Sequence, residues 1–246
     1  MASLLPYFVE KHSYERLNLK AVLFDMDGVL FDSMKNHTLA WYRTISALGI
    51  DCRREEFYLY EGCTGAGTLN LFFRREFGRD ATAEEVQRIY DEKSRHFNSL
   101  PEVEPMPGAP ELLARVKERG LIPVLVTGSG QISLLEKLER AYPRIFRPEL
   151  MVTAYDVKHG KPHPEPYLMG LHKAGVKAGE AIVVENAPMG VQAGVAAGIY
   201  TVAVNTGPIP DKALYEAGAD CLFPDMPSFA AGFDRLADSL AGLCER

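Results

Sequence analysis

Short apolar runs alternate with longer stretches of helical periodicity through most of the chain. The first run, residues 19–24, is cut short by Asp25-Met26-Asp27-Gly28, where the glycine permits a sharp turn. Further runs at 122–126, 150–153, 181–184 and 199–204 each follow a segment of 3.6-residue periodicity, at 110–119, 132–141, 164–174 and 189–197. Residues 221–223 read as a short last strand before a helix over 226–243. Strand and helix in regular alternation predict an α/β fold, a doubly wound and mainly parallel sheet covered by helices.

From 34 to 103 the pattern changes. Apolar positions recur at helical spacing, as in Leu69, Phe72, Phe73 and Phe77 or Val86, Ile89, Tyr90 and Phe97, and β-branched runs are missing. About four helices are expected there, inserted into the sheet domain, with Phe72, Phe73, Phe77 and Phe97 as their core. Proline and glycine mark hinges near 31–34 and 101–108. The expected organisation is an N-terminal extension (1–18), an α/β core (19–33 and 104–246) and a helical cap (34–103).

Composition narrows the class. With 47% hydrophobic and 24% charged residues the chain is that of a folded globular protein. A net charge of −6 without a Lys/Arg cluster argues against a nucleic-acid partner. No apolar stretch reaches membrane-span length, and the first residues lack the order of a secretory signal, so a cytoplasmic, membrane-free protein is expected. A monomer is the favoured state. Cys52, Cys63, Cys221 and Cys244 show no metal-site spacing and are expected as reduced structural thiols. His159 and His163 read as loop residues.

In an open parallel sheet, ligands gather beyond the carboxyl ends of the strands. Four polar groups fall there: Asp25 and Asp27, then Thr127-Gly128-Ser129, then Lys161, then Glu185-Asn186. Carboxylates, a hydroxyl, a lysine and an acid–amide pair suit a Mg²⁺ site that handles phosphate. Asp25 could attack phosphorus, and Asp27 could exchange protons with the leaving oxygen and with water. Thr127 and the neighbouring amides, with the helix start near Gln131, could hold phosphoryl oxygens. Lys161 could neutralise the meeting of two anions. Asp25 and Asp27 are candidates for the metal as well, and Glu185 and Asn186 are the remaining ones.

These four segments resemble the ordered motifs of the haloacid dehalogenase superfamily, in its β-phosphoglucomutase-like branch with an inserted helical cap. The resemblance spans roughly residues 19 to 240. It implies an aspartyl-phosphate intermediate on Asp25, Asp27 as acid and base, Thr127 and Lys161 on the phosphate, and Mg²⁺ as cofactor.

Two departures from the branch bear on the substrate. Where the branch usually has Glu-Asp, this chain has Glu185-Asn186, one negative charge fewer beside the metal. In the cap stretch 59–67 the basic residues of sugar-phosphate mutases are replaced by Glu61 and Gly65. Glu61 could reach the metal on cap closure and replace the missing charge, a pattern that resembles the inorganic pyrophosphatases of the branch. The expectation is therefore a Mg²⁺-dependent phosphohydrolase acting on pyrophosphate. His37 pulls toward the alternatives, β-phosphoglucomutase or a small sugar-phosphate or organic-phosphate phosphatase, because those mutases carry a histidine there. A noncatalytic phosphate-binding protein is the different-class alternative, opposed by the presence of both Asp25 and Asp27.

Overall fold

The computed structural model describes residues 17–130 and 132–241. The expected extension up to residue 16, Gln131, Cys244 and the end of the last helix lie outside the described residues. Leu17 and Asn18 already belong to the core: Leu17 is buried, and the Asn18 amide donates to the Gly179 carbonyl.

Six strands form one parallel sheet in the order β3-β2-β1-β4-β5-β6. They are β1 (Ala21–Phe24), β2 (Ile122–Val126), β3 (Met151–Val152), β4 (Ala181–Glu185), β5 (Tyr200–Val204) and β6 (Cys221–Phe223). In register, Phe24 of β1 lies between Leu125 and Val184. The order reverses at β1, whose neighbours are reached by crossovers in opposite directions, so a crevice opens beyond the carboxyl ends of β1 and β4.

Helices cover both faces, and the period-2 alternation of the strands assigns each residue to one layer. Val22, Phe24, Leu125 and Val184 pack with α5 (Ala109–Glu118), α6 (Ile132–Ala141) and α10 (Met226–Ala241). Leu23, Val124, Val126 and Val183 pack with α7 (Glu165–Ala174) and α8 (Pro188–Ala196). Burying each such side chain contributes about 1.5–3 kcal/mol. A short helix α9 (Asp211–Glu216) precedes β6. Among the described residues, no helix is long and apolar enough to cross a membrane.

The cap consists of α1 (Met34–Ala47), α2 (Glu56–Leu59), α3 (Gly65–Phe77) and α4 (Ala83–Asn98). Its core is Trp41, Ile45, Phe57, Leu69, Phe72, Phe73 and Ile89. Two of the four aromatic residues expected there lie elsewhere. Phe77 is 51% exposed, because it closes α3 just before the left-handed Gly78 and only its edge meets Phe73. Phe97 ends the apolar stripe of α4 and packs into the sheet-domain core beside His37. Residues 83–98 start on a capping box, with the Thr82 hydroxyl accepting from the Glu85 amide and the Glu85 carboxylate accepting from the Thr82 amide.

Candidate active site

The turn after β1 places two carboxylates at the crevice. Asp25 extends the ladder, its amide donating to the Val184 carbonyl, and the chain then folds around the Met26 carbonyl, which accepts from the amides of Leu30 and Phe31. Gly28 has φ +79°, and a methyl group there would lie 2.0 Å from Asn186 Nδ2 and 2.9 Å from Glu61 Oε1. A side chain is excluded where the β1 turn, the β4 loop and the cap meet.

Asp25 and Lys161 form the buried centre. Lys161 Nζ donates to Asp25 Oδ1 (2.5 Å), Glu185 Oε1 (2.6 Å) and the Val126 carbonyl (2.9 Å), which uses all three of its protons. Burial opposes the charge on Lys161, but the two carboxylates win and hold it as an ammonium. Burial pushes the Asp25 carboxyl up, Lys161 opposes, and Glu185 and Asp27 push further in the same direction.

Asp27 is held from the cap. Its Oδ1 accepts from Ser33 Oγ (2.5 Å) and faces His37 Nε2 at 2.9 Å. Ser33 precedes α1 at the N-cap position yet makes no side-chain cap bond, since its hydroxyl serves Asp27 instead. Lys93 Nζ lies 2.8 Å from His37 Nδ1. An ammonium there donates to Nδ1, so the neutral ring carries its proton on Nε2 and donates it to Asp27. Burial favours a neutral Asp27, but the charge and hydrogen bond of His37, the Ser33 bond and Lys93 outweigh it and hold the carboxyl below its ordinary value. Burial brings Lys93 down to about 7 despite Asp27. It lowers His37 too, with Lys93 adding to burial and Asp27 opposing.

Glu61 comes from the cap loop before α3. Its Oε1 accepts from Asn186 Nδ2 at 3.0 Å, across 125 residues of chain. Burial raises its carboxyl well above the usual range, the Asp25 charge adds to this, and the Asn186 bond opposes. Glu61 Oε2, Asn186 Oδ1 and Asp25 Oδ2 are buried oxygens with no hydrogen-bond partner. Such groups are costly unless something positive or protic meets them, and an all-oxygen set of two carboxylates and an amide fits a hard divalent cation. No group of three His, Cys, Asp or Glu side chains among the described residues forms a metal cluster by itself. The amide oxygen of Asn186 is the third member of that oxygen set. Glu185 is differently placed: Oε1 accepts from Lys161 and from the Tyr167 hydroxyl, and Oε2 from the Asn186 amide.

Thr127-Gly128-Ser129 closes the site. Thr127 Oγ1 accepts from the Ser129 amide at 2.9 Å and keeps its own proton to donate. A methyl group at Gly128 would lie 2.2 Å from the Gly62 carbonyl oxygen, so the cap loop seats directly on this turn. Between cap and core remains a narrow cavity of about 50 Å³. Asp25, Asp27, Thr127, Gly128 and Ser129 line its floor, while Glu61, His37 and Lys93 line its cap side with Trp41, Phe57 and Tyr90. Lys161, Glu185 and Asn186 stand behind Asp25, outside the lining.

All ten expected site residues therefore meet in one cluster. Sequence reasoning missed Ser33, Lys93 and Tyr167. Lys93 carried a readable signal: it lies four residues from both Ile89 and Phe97, a lysine on the apolar stripe of α4. Ser33 and Tyr167 carried none, one resembling an ordinary helix start and the other an ordinary core aromatic.

Residues 22–204 match the family model described as haloacid dehalogenase-like hydrolase. The chain is 32% identical over 191 residues to hexitol phosphatase A of Escherichia coli, covering 77% of this chain and 84% of that protein. It is also 32% identical to a phosphorylated carbohydrates phosphatase of Thermotoga maritima, over 83% of this chain and 94% of that one. A solved structure described as "Putative beta-phosphoglucomutase from Bacteroides vulgatus" is 53% identical, with a TM-score of 0.92, over 97% of this chain and 96% of that chain. The chain belongs to the haloacid dehalogenase-like hydrolases, in their β-phosphoglucomutase-like branch.

Proposed function

We propose that this protein is a Mg²⁺-dependent phosphohydrolase that passes through an aspartyl-phosphate on Asp25 and acts on a small phosphorylated carbohydrate. The observation that carries the reading is the chain Lys93–His37–Asp27, which ties the acid–base carboxylate to a cation on the cap side of a cavity walled by Trp41, Phe57 and Tyr90. Aromatic and apolar walls with a few fixed polar groups suit the C–H faces and hydroxyls of an organic substrate. The two phosphatases compared above are described as acting on hexitol or carbohydrate phosphates, and this supports the same substrate class here.

Lys161 fixes the Asp25 carboxylate through Oδ1, and that carboxylate bonds to phosphorus as the bond to the leaving oxygen breaks. Asp27 gives that oxygen a proton, which it takes up as the phosphate anion enters beside it, because that negative charge opposes the hold of His37, Ser33 and Lys93 on the carboxylate. It then takes a proton from the water that attacks the aspartyl-phosphate, releasing phosphate and restoring Asp25. Thr127 Oγ1 and the amides of its turn hold phosphoryl oxygens. Asn186, Glu61 and Asp25 would hold Mg²⁺, with Glu185 supplying charge through Lys161. When bound, the ion neutralises and polarises the phosphoryl group. The cavity is too small for a sugar phosphate, so substrate entry requires the cap to move away from Gly128.

Pyrophosphate hydrolysis is a second reading, favoured by the contact between Glu61 and Asn186. A cap carboxylate on the cation suits a compact, metal-chelated anion better than a sugar. The relatives compared above support the carbohydrate reading instead, and it leads. Mutase chemistry must retain a second phosphate, for which Lys93 is the sole Lys or Arg in the described lining.

Comparing kcat/KM with Mg²⁺ across hexitol and hexose phosphates, β-glucose 1-phosphate and pyrophosphate tests these readings, with glucose 6-phosphate formation followed separately. A carbohydrate phosphate at least tenfold above pyrophosphate is expected. Pyrophosphate dominant by that margin replaces the first reading with the second.

A further inference from the structure

Beside the site, but outside its cavity, lies a tyrosine whose hydroxyl and ring both touch the catalytic charges. We infer that Tyr167 is a positioning residue that holds the Lys161–Glu185 pair in place against Asp25. This rests on the aspartyl-phosphate reading above and adds a residue to it.

Tyr167 is the third residue of α7 and is fully buried, in the apolar layer that contains Leu23, Val124, Val126 and Leu171. A phenol in such a layer needs a partner for its hydroxyl. It finds one in Glu185 Oε1, at 2.6 Å. Its ring centroid lies 4.9 Å from Lys161 Nζ, within cation–π range. The ammonium therefore meets three oxygens and an aromatic ring, and Glu185 Oε1 divides itself between the ammonium and the phenol.

This division sets where Lys161 rests. Without the phenol's proton, Oε1 would have Lys161 as its one remaining donor in a site closed to water. The ammonium would be drawn toward Glu185 and away from Asp25 Oδ1, and the nucleophile would lose the contact that orients it. Tyr167 touches neither the cavity nor the reacting atoms, so its effect is on orientation rather than on substrate binding.

Tyr167→Phe removes the hydroxyl and keeps the ring, whereas Tyr167→Leu removes both. Changes to groups that orient a charged site typically cost 10- to 100-fold, and a loss of about that size in kcat is expected for the Phe variant, with KM within about threefold of the parent. Beryllofluoride, which mimics a phosphoryl group bound to a carboxylate, reports on Asp25 without turnover. Its binding with Mg²⁺ can be followed by the fluorescence of Trp41, the single tryptophan, which lines the cavity. The Phe variant is expected to bind it about tenfold more weakly while its Tm stays within a few degrees of the parent.

A Phe variant equal to the parent in kcat and beryllofluoride affinity overturns the inference. So does a Phe variant whose losses accompany a fall in Tm as large as that of Tyr167→Leu, since the role is then structural. A parent that neither turns over any compound of the panel nor binds beryllofluoride overturns the functional reading, and this inference with it. An active, beryllofluoride-binding parent beside an indistinguishable Phe variant overturns the inference alone.

Discussion

Replacing Lys93 by methionine should make the protein more stable and less active at the same time. Lys93 is 2% exposed, with its ammonium 5.0 Å from the ring of Phe97 and 5.6 Å from that of Trp41. Burial takes its pKa from 10.5 to about 7. The unfolded chain therefore binds a proton that the folded chain does not between those values, and stability rises with pH through that window. Below pH 7 both states are protonated and the burial cost is carried in full. At 1.36 kcal/mol per pH unit, the native protein should gain about 2–3 kcal/mol between pH 6 and pH 9 from this residue, an upper bound of the order of magnitude. A methionine side chain fills much the same space without a charge, so this part of the slope should vanish and the variant should be the more stable protein at pH 6. Its kcat should nevertheless fall about tenfold or more, because His37 loses the donor that keeps its proton on Nε2, facing Asp27; a hydrogen bond from a charged group is typically worth about 1.5–3 kcal/mol. Urea denaturation of parent and Lys93→Met at pH 6 and pH 9, beside kcat at one pH, measures both sides. A variant less stable than the parent at pH 6, with the pH dependence unchanged, would refute the reasoning.

Three further outcomes follow from the site. Asp25→Asn should abolish turnover while still binding phosphate compounds, and turnover within about a hundredfold of the parent would remove Asp25 as the nucleophile. Glu61→Gln should shift the Mg²⁺ activation curve about tenfold toward higher concentration, in keeping with the usual effect of altering a metal site's surroundings; an unchanged curve would sink the cap carboxylate's part. Gly128→Ala puts a methyl group 2.2 Å from the Gly62 carbonyl and 2.8 Å from that of Cys63. Since backbone cannot yield as a flexible side chain does, the cap should seat poorly, and the variant should lose kcat with little change in Tm. Parent-like kinetics would show that the contact between Gly62 and Gly128 is not needed for turnover.

The sheet was legible because its strands are buried on both faces and so appear as unbroken apolar runs, with the polar site residues falling at their ends. Asp25, Thr127 and Glu185 could be placed by that rule alone. The six residues of α9 were missed, since 211–216 is too short to show a period, and β3 is two residues where four were expected. Phe77 shows the limit of periodicity, which assigns a face but not how far along the helix that face stays covered. Lys93 shows the reverse case, where the apolar stripe was read correctly and the lysine within it was passed over. Tyr167 and Ser33 depend on contacts set by tertiary packing: the Tyr167 hydroxyl meets Glu185 across 18 residues, and Ser33 could be told from a helix cap only by seeing its hydroxyl on Asp27.

Charge balance links these residues into one device. Among the described residues, Asp25, Asp27, Glu61 and Glu185 are four buried carboxyl groups, with Lys161 and Lys93 as the buried lysines. Lys161 is shared between Asp25 and Glu185, and Lys93 reaches Asp27 only through His37. The uncompensated excess falls on the side of Asp25 and Glu61, where the three unpartnered oxygens lie. Replacing the branch's usual aspartate by Asn186 lowers that excess by one charge, and Glu61 restores it only when the cap is seated. A cation is therefore drawn most strongly to the closed form, so cation binding and cap closure should favour each other, and each should weaken when Glu61 is neutralised.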